Sequence, residues 1–185
     1  MIQPFAQIRE QLRKVGICID STIFAGGTSD SDTHQFDFTD CPSESHWYFE
    51  NDPLVAAPKG SFLEVPIASI KLPPTLYWRL ALTKKLGGAI HRSFGDGSAM
   101  SLSPGDMFSK LSRWTTSVVS LDGYKASFLE RAFAQYRNCD KTDFVIIGHP
   151  KALTPYSLQK LDHFLSAHRT ENFVGYSMYR GLVAT

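Results

Sequence analysis

His149 is the residue whose type and position best suit proton transfer. It stands at the end of the apolar run Phe144-Val145-Ile146-Ile147, and Pro150 behind it has no backbone donor to extend a ladder. Imidazole changes charge near neutrality, so a histidine at a strand end can give or take a proton in a reaction. The same position also suits a histidine that only hydrogen-bonds a neighbouring loop. Asp20 closes the short run Ile17-Cys18-Ile19, and Ser69 lies near the end of a third run, 62–70. Glu64 sits among apolar residues in that third run, where a carboxylate needs a partner or a raised pKa. A structural ion pair and a catalytic acid both fit it. Asp30, Asp32 and His34 place oxygen and nitrogen donors at alternate positions of one loop, a pattern open to a metal ion and equally to plain solvation. Asp37, in His-Gln-Phe-Asp-Phe, is better placed to orient a site. The aromatic group Trp47-Tyr48-Phe49 suits either a sugar-stacking wall or core packing. No Gly-rich phosphate loop, G-x-S-x-G elbow, H-E-x-x-H helix or H-x-x-x-H pair occurs. Cys18, Cys41 and Cys139 are odd in number and far apart, which fits free thiols in a reducing compartment better than a disulfide framework or a zinc site.

The elements that must position these residues follow from spacing. Phe5, Ile8, Leu12 and Val15 mark a helix over 4–15, stopped by Gly16. Residues 25–61 show neither helical nor strand period, yet their aromatic content argues against disorder. The run 62–70 reads as a strand flawed by Pro66. Thr75 is placed to cap a helix that ends at Gly87-Gly88, and Pro104 opens a short one. Residues 124–136 form an amphipathic helix, and 144–147 a strand apolar on both faces, as in parallel sheets. Thr154 caps a helix running to about His168, and Phe173–Met178 reads as a final strand. This alternation is α/β with parallel neighbours, too few strands for a closed barrel of eight.

With 185 residues and 43% of them hydrophobic, the chain is one domain with a real core. Its 19 basic and 18 acidic residues leave a net charge of +1, with no block of five like charges, so overall charge gives no reason to expect nucleic acid or a membrane as partner. No apolar run is long enough to span a bilayer. The N-terminus lacks a signal-peptide pattern, which favours a cytoplasmic location.

Five segments, taken in order, carry a resemblance: Leu12–Phe24 (LRKVGICIDSTIF), Asp37–Phe49 (DFTDCPSESHWYF), Gly60–Ile67 (GSFLEVPI), Val119–Leu129 (VSLDGYKASFL) and Val145–Leu161 (VIIGHPKALTPYSLQKL). Together they resemble the C-terminal two-thirds of polysaccharide deacetylase-like proteins, carbohydrate esterase family 4. The resemblance implies a partial or distorted (β/α) barrel with mainly parallel strands, a TIM-like barrel in outline, and metal-dependent removal of acetyl groups from carbohydrate. It gives His149 the part of proton donor to the leaving group, and puts Asp37, Trp47 and Asp20 against the substrate. A zinc-like divalent metal is implied by the resemblance alone. The family's metal motifs would fall before Leu12, where no Asp or His stands, so no metal is expected to be held by this chain alone, and residues 1–185 are expected to be one domain incomplete at its N-terminus. The leading expectation is part of a carbohydrate deacetylase-like hydrolase. The rival is a non-catalytic module that binds carbohydrate or protein. A homo-oligomer covering an apolar sheet edge is also expected.

Overall fold

The computed structural model describes residues 5–31, 34–96 and 104–183. The N-terminal stripe folds as a 3-10 turn, Phe5–Gln7, followed by a helix, Arg9–Lys14 (α1). Gly16 adopts a left-handed φ of 71°, which ends the helix as its position suggested. The first strand, Ile19–Asp20 (β1), is two residues long. The stretch without legible period is ordered by an antiparallel hairpin, Thr28–Ser31 (β2) with His34–Asp37 (β3), and by Trp47–Phe49 (β4). Of the Asp30-x-Asp32-x-His34 pattern, Asp32 falls outside the described residues, while Asp30 and His34 belong to the two strands of that hairpin.

Phe62–Glu64 (β5) is the centre of a three-stranded sheet, with β1 parallel on one side and β4 antiparallel on the other. Pro66 then divides the 62–70 run. Ser69–Leu72 (β6) leaves this sheet and pairs antiparallel with Thr115–Val118 (β7). The sheets therefore hold two or three strands each and are mostly antiparallel, which overturns the expected partial or distorted (β/α) barrel with mainly parallel strands and, with it, the TIM-like outline. Two causes are visible in the residues. The 25–61 stretch supplies strands that return antiparallel, and a proline without an N–H cuts the one long run on which a parallel barrel would depend.

Parallel order survives in β1–β5 and in two isolated bridges, Ile67 with Val145 and Ser120 with Ile147. Residues 144–147, expected to be covered on both faces, are only half-buried. The run Phe173–Met178 is likewise no strand: it is irregular before a 3-10 turn at Tyr176–Tyr179.

The helices are Pro74–Leu86 (α2), Pro104–Ser112 (α3), Leu129–Asn138 (α4), Pro155–Ala167 (α5) and Arg180–Val183 (α6). Helix α2 starts one residue before Thr75, with Pro74 at its first position. Helix α4 is preceded by a 3-10 turn over Gly123–Phe128. Thr154 caps α5: its Oγ1 accepts the Ser157 N–H at 3.0 Å while Ser157 Oγ accepts the Thr154 N–H at 2.9 Å.

Two apolar clusters result. One packs Phe5, Ile23, Phe38, Trp47, Phe49 and Phe62 over the three-stranded sheet. Phe5 meets Phe49 and Phe62 edge-on, with centroids 5.0 and 4.9 Å away, contacts worth about 0.5–1.5 kcal/mol each beyond burial. The other joins Ile70 and Leu72 of β6 to Leu76, Leu129, Ala132 and Phe164 of the helices.

Candidate functional site

The bridge between Ser120 and Ile147 fixes the site. Two residues beyond each bridged position stand Asp122 and His149, so the parallel bridge brings both residues out side by side. Leu121 N–H donates to Ile147 O at 2.9 Å and ties the two exits. Asp122 N–H donates to Ser120 Oγ at 3.0 Å, and Gly123 turns the chain away with a φ of 51°. The Asp122 carboxylate then takes two bonds from one residue: the His149 backbone N–H at 2.9 Å on Oδ1, and His149 Nδ1 at 2.8 Å on Oδ2. Asp122 is three-quarters buried and the imidazole is half exposed, its side chain 54% accessible. A carboxylate on Nδ1 fixes that nitrogen as the protonated one and leaves the lone pair on Nε2 of a half-exposed ring, the arrangement of a base or acid positioned by a second residue.

Sequence reasoning placed His149 at the end of a strand over 144–147; no strand forms there, only isolated bridges at Val145 and Ile147, with His149 two residues beyond the second, and Asp122 was passed over. The legible signal was its place inside LDGY, an acid before a glycine at the end of an apolar run. Lys125, one turn on, donates from Nζ to Ser117 Oγ at 3.1 Å. Burial, then the charge of Lys110, lowers its ammonium pKa against the pull of Asp122.

Asp20 and Glu64 form a second acidic feature. They are partners in the parallel β1–β5 register, so both carboxyls emerge on one face. Glu64 is fully buried; Oε1 accepts the Ile23 N–H at 3.2 Å, and Oε2 has no hydrogen-bond partner. Burial first, and the Asp20 charge second, push its carboxyl up to about 8. Asp20 Oδ1 accepts the Ser21 N–H at 2.9 Å and Oδ2 the Thr22 hydroxyl at 3.1 Å. Glu64 thus anchors the turn after β1 and carries its proton at neutral pH.

The remaining expected residues have partners of their own. Asp37 is exposed and caps its own turn, accepting Thr39 N–H at 2.9 Å and Thr39 Oγ1 at 2.6 Å; these bonds lower its pKa. Trp47 is 4% exposed within the aromatic cluster, and its indole N–H donates to Pro53 O at 2.8 Å. Among the described residues no hydrogen bond or ion pair links His149 to Asp20, Asp37 or Trp47. A shallow depression of about 440 Å³ beside Glu50 and Lys59 includes none of these four.

A divalent metal is implied by the resemblance, and the described residues do not fit it. No group of three His, Cys, Asp or Glu among them converges on a point where an ion could sit. Three further histidines are engaged elsewhere: His46 Nδ1 with Asp143 at 2.9 Å, His168 Nε2 with Glu130 at 2.8 Å, and His91 against the Tyr156 ring at 4.5 Å. Comparison of the chain with protein families, curated proteins and solved structures returns no match.

Proposed function

We propose that this chain is a carbohydrate deacetylase-like hydrolase, or part of one, in which His149 moves the proton and Asp122 positions His149. The observation that carries this reading is the half-exposed imidazole held by Asp122 through Nδ1. Its support on the substrate side is the resemblance, since both residues lie in segments that carry it. Neutral His149 accepts a proton from water at Nε2 as the water oxygen attacks the acyl carbon. The imidazolium so formed returns that proton to the departing amine or alkoxide as the C–N or C–O bond breaks, releasing acetate. Asp122 stays ionised throughout and stabilises the imidazolium.

The test is a titration of isotope-labelled chain with acetylated hexosamine oligomers, read at the His149 ring and the amides of residues 148–151. Saturable shifts confined to this loop are the expected result. A folded chain whose loop signals do not move at millimolar sugar overturns the substrate assignment. Saturable shifts in a protein that does not hydrolyse p-nitrophenyl acetate through His149 would assign the site to sugar binding alone.

A further inference from the structure

The overall charge of +1 averages two unlike parts. Residues 71–114 hold seven Lys and Arg against two Asp and Glu, a net charge of +5, so the rest of the chain carries −4. The same segment carries eight of the 18 exposed large apolar side chains among the described residues. Trp78, Leu82 and Leu86 recur every four residues along α2, and Met107, Phe108 and Trp114 lie on or just after α3; each of the six is more than half exposed. The two helices pack on one another, and the Trp78 indole N–H donates to Leu111 O at 3.2 Å, which joins the two exposed sets. Helix α2 has already met its core obligation on the other side, where Leu76 is buried and Tyr77 and Leu80 pack against the second apolar cluster. A helix apolar on both faces needs a cover on the outer one as well. On the helical wheel the exposed Arg79 and Lys85 fall on either side of the Trp78–Leu86 stripe.

We infer that this face docks the protein on the surface of an anionic membrane. Protruding tryptophan, leucine and phenylalanine side chains enter the boundary between headgroups and acyl chains, and the flanking Lys and Arg meet lipid phosphates. The charge decides the occupant. A second copy would oppose two segments of +5, and a nucleic acid would leave the apolar stripe in contact with phosphate and water. A surface that is negative outside and apolar just beneath matches both halves of the pattern. No described helix is long and apolar enough to cross the bilayer.

The experiment is sedimentation of the full chain with vesicles of phosphatidylcholine mixed with phosphatidylglycerol, against pure phosphatidylcholine. Binding is expected on the mixed vesicles only, with Trp fluorescence shifted to the blue and quenched by brominated lipid. At about 1 M salt, where charges are screened beyond about 3 Å, binding should fall away. The double variant Arg79→Gln/Lys85→Gln should lower partitioning about 30-fold, at roughly fivefold per basic residue. Leu82→Gln/Leu86→Gln should abolish the fluorescence shift while circular dichroism stays unchanged, because both side chains point outward. A folded wild-type chain that ignores both vesicle types overturns the inference, as does equal binding to both. Self-association that the Leu82/Leu86 variant dissolves, without lipid binding, assigns the face to a second copy instead.

Discussion

Replacing Glu64 by Gln isolates the least comfortable group in the fold. The carboxyl is wholly buried, faces Asp20 in register, and is pushed up to about 8 from an ordinary 4.5. Between those values the folded chain keeps a proton that the unfolded chain has released. Stability therefore falls as pH rises, by about 1.4 kcal/mol per pH unit. The contribution is complete below pH 4.5 and gone above about 8, a span of about 5 kcal/mol, of which about 3 is already lost at pH 7. The amide introduced by Glu64→Gln cannot ionise. It keeps the acceptor for the Ile23 N–H and turns an N–H toward Asp20, where Glu64 presents its unpartnered Oε2. Urea unfolding followed by circular dichroism from pH 5 to pH 9 reads the difference. The variant should match wild type to within about 1 kcal/mol at pH 5 and exceed it by about 3 at pH 7 and about 5 at pH 9, at equal denaturant slope. Parallel pH curves for the two proteins, or a variant weaker than wild type at pH 9, would refute the reasoning.

Trp47→Phe strands the buried Pro53 carbonyl and should cost about 1–3 kcal/mol in urea unfolding, while the His149 loop answers sugar as before. Tyr179→Phe removes a hydrogen bond to Asp143, on which His46 and Thr142 also converge. Burial alone would raise the Asp143 carboxyl, but these three bonds outweigh it and hold it below its ordinary value. Hydrogen exchange over residues 176–183 should therefore speed up at least tenfold, the effect of losing a bond to a charged group worth about 1.5–3 kcal/mol. Metal-free chain re-exposed to zinc, cobalt and nickel should retain less than one equivalent by elemental analysis. One tightly held equivalent would reveal a ligand set that the described residues do not gather.

How much of this was legible depends on how local each signal is. The Thr154 and Gly16 caps were readable, because they act through their own neighbours in sequence, whereas Thr75 lies inside α2 behind Pro73 and caps nothing. The run before His149 was read as a strand, but it keeps only two isolated bridges, because each of its pairings depends on residues far away in sequence. Strand direction was no more legible. Whether Trp47–Phe49 runs with or against Phe62–Glu64 is decided by pairings such as Tyr48 with Leu63, across a stretch of irregular chain, and three aromatic residues carry no mark of direction. The parallel expectation came from counting helices between apolar runs, and the hairpin hidden in residues 25–61 defeats that count. Asp122 escaped because its role exists only when Ser120 and Ile147, 27 residues apart, lie side by side. Glu64 was expected to form a structural ion pair; no ion pair among the described residues includes it, and what it has instead is a second acid, a raised pKa and two unequal oxygens.

The central claim is that Asp122 holds His149 as an acid–base group, and hydrolysis of p-nitrophenyl acetate tests it most directly. The leaving group is good enough that an imidazole working alone with water gives a measurable rate. Wild type, His149→Gln and Asp122→Ala are compared at pH 7.5 with free imidazole as the reference. Positioned acid–base catalysis is worth about 10²–10⁴-fold at full effect, so loss of most of the protein-dependent rate in His149→Gln and a clear drop in Asp122→Ala are the expected results. Equal rates in all three folded proteins would contradict it.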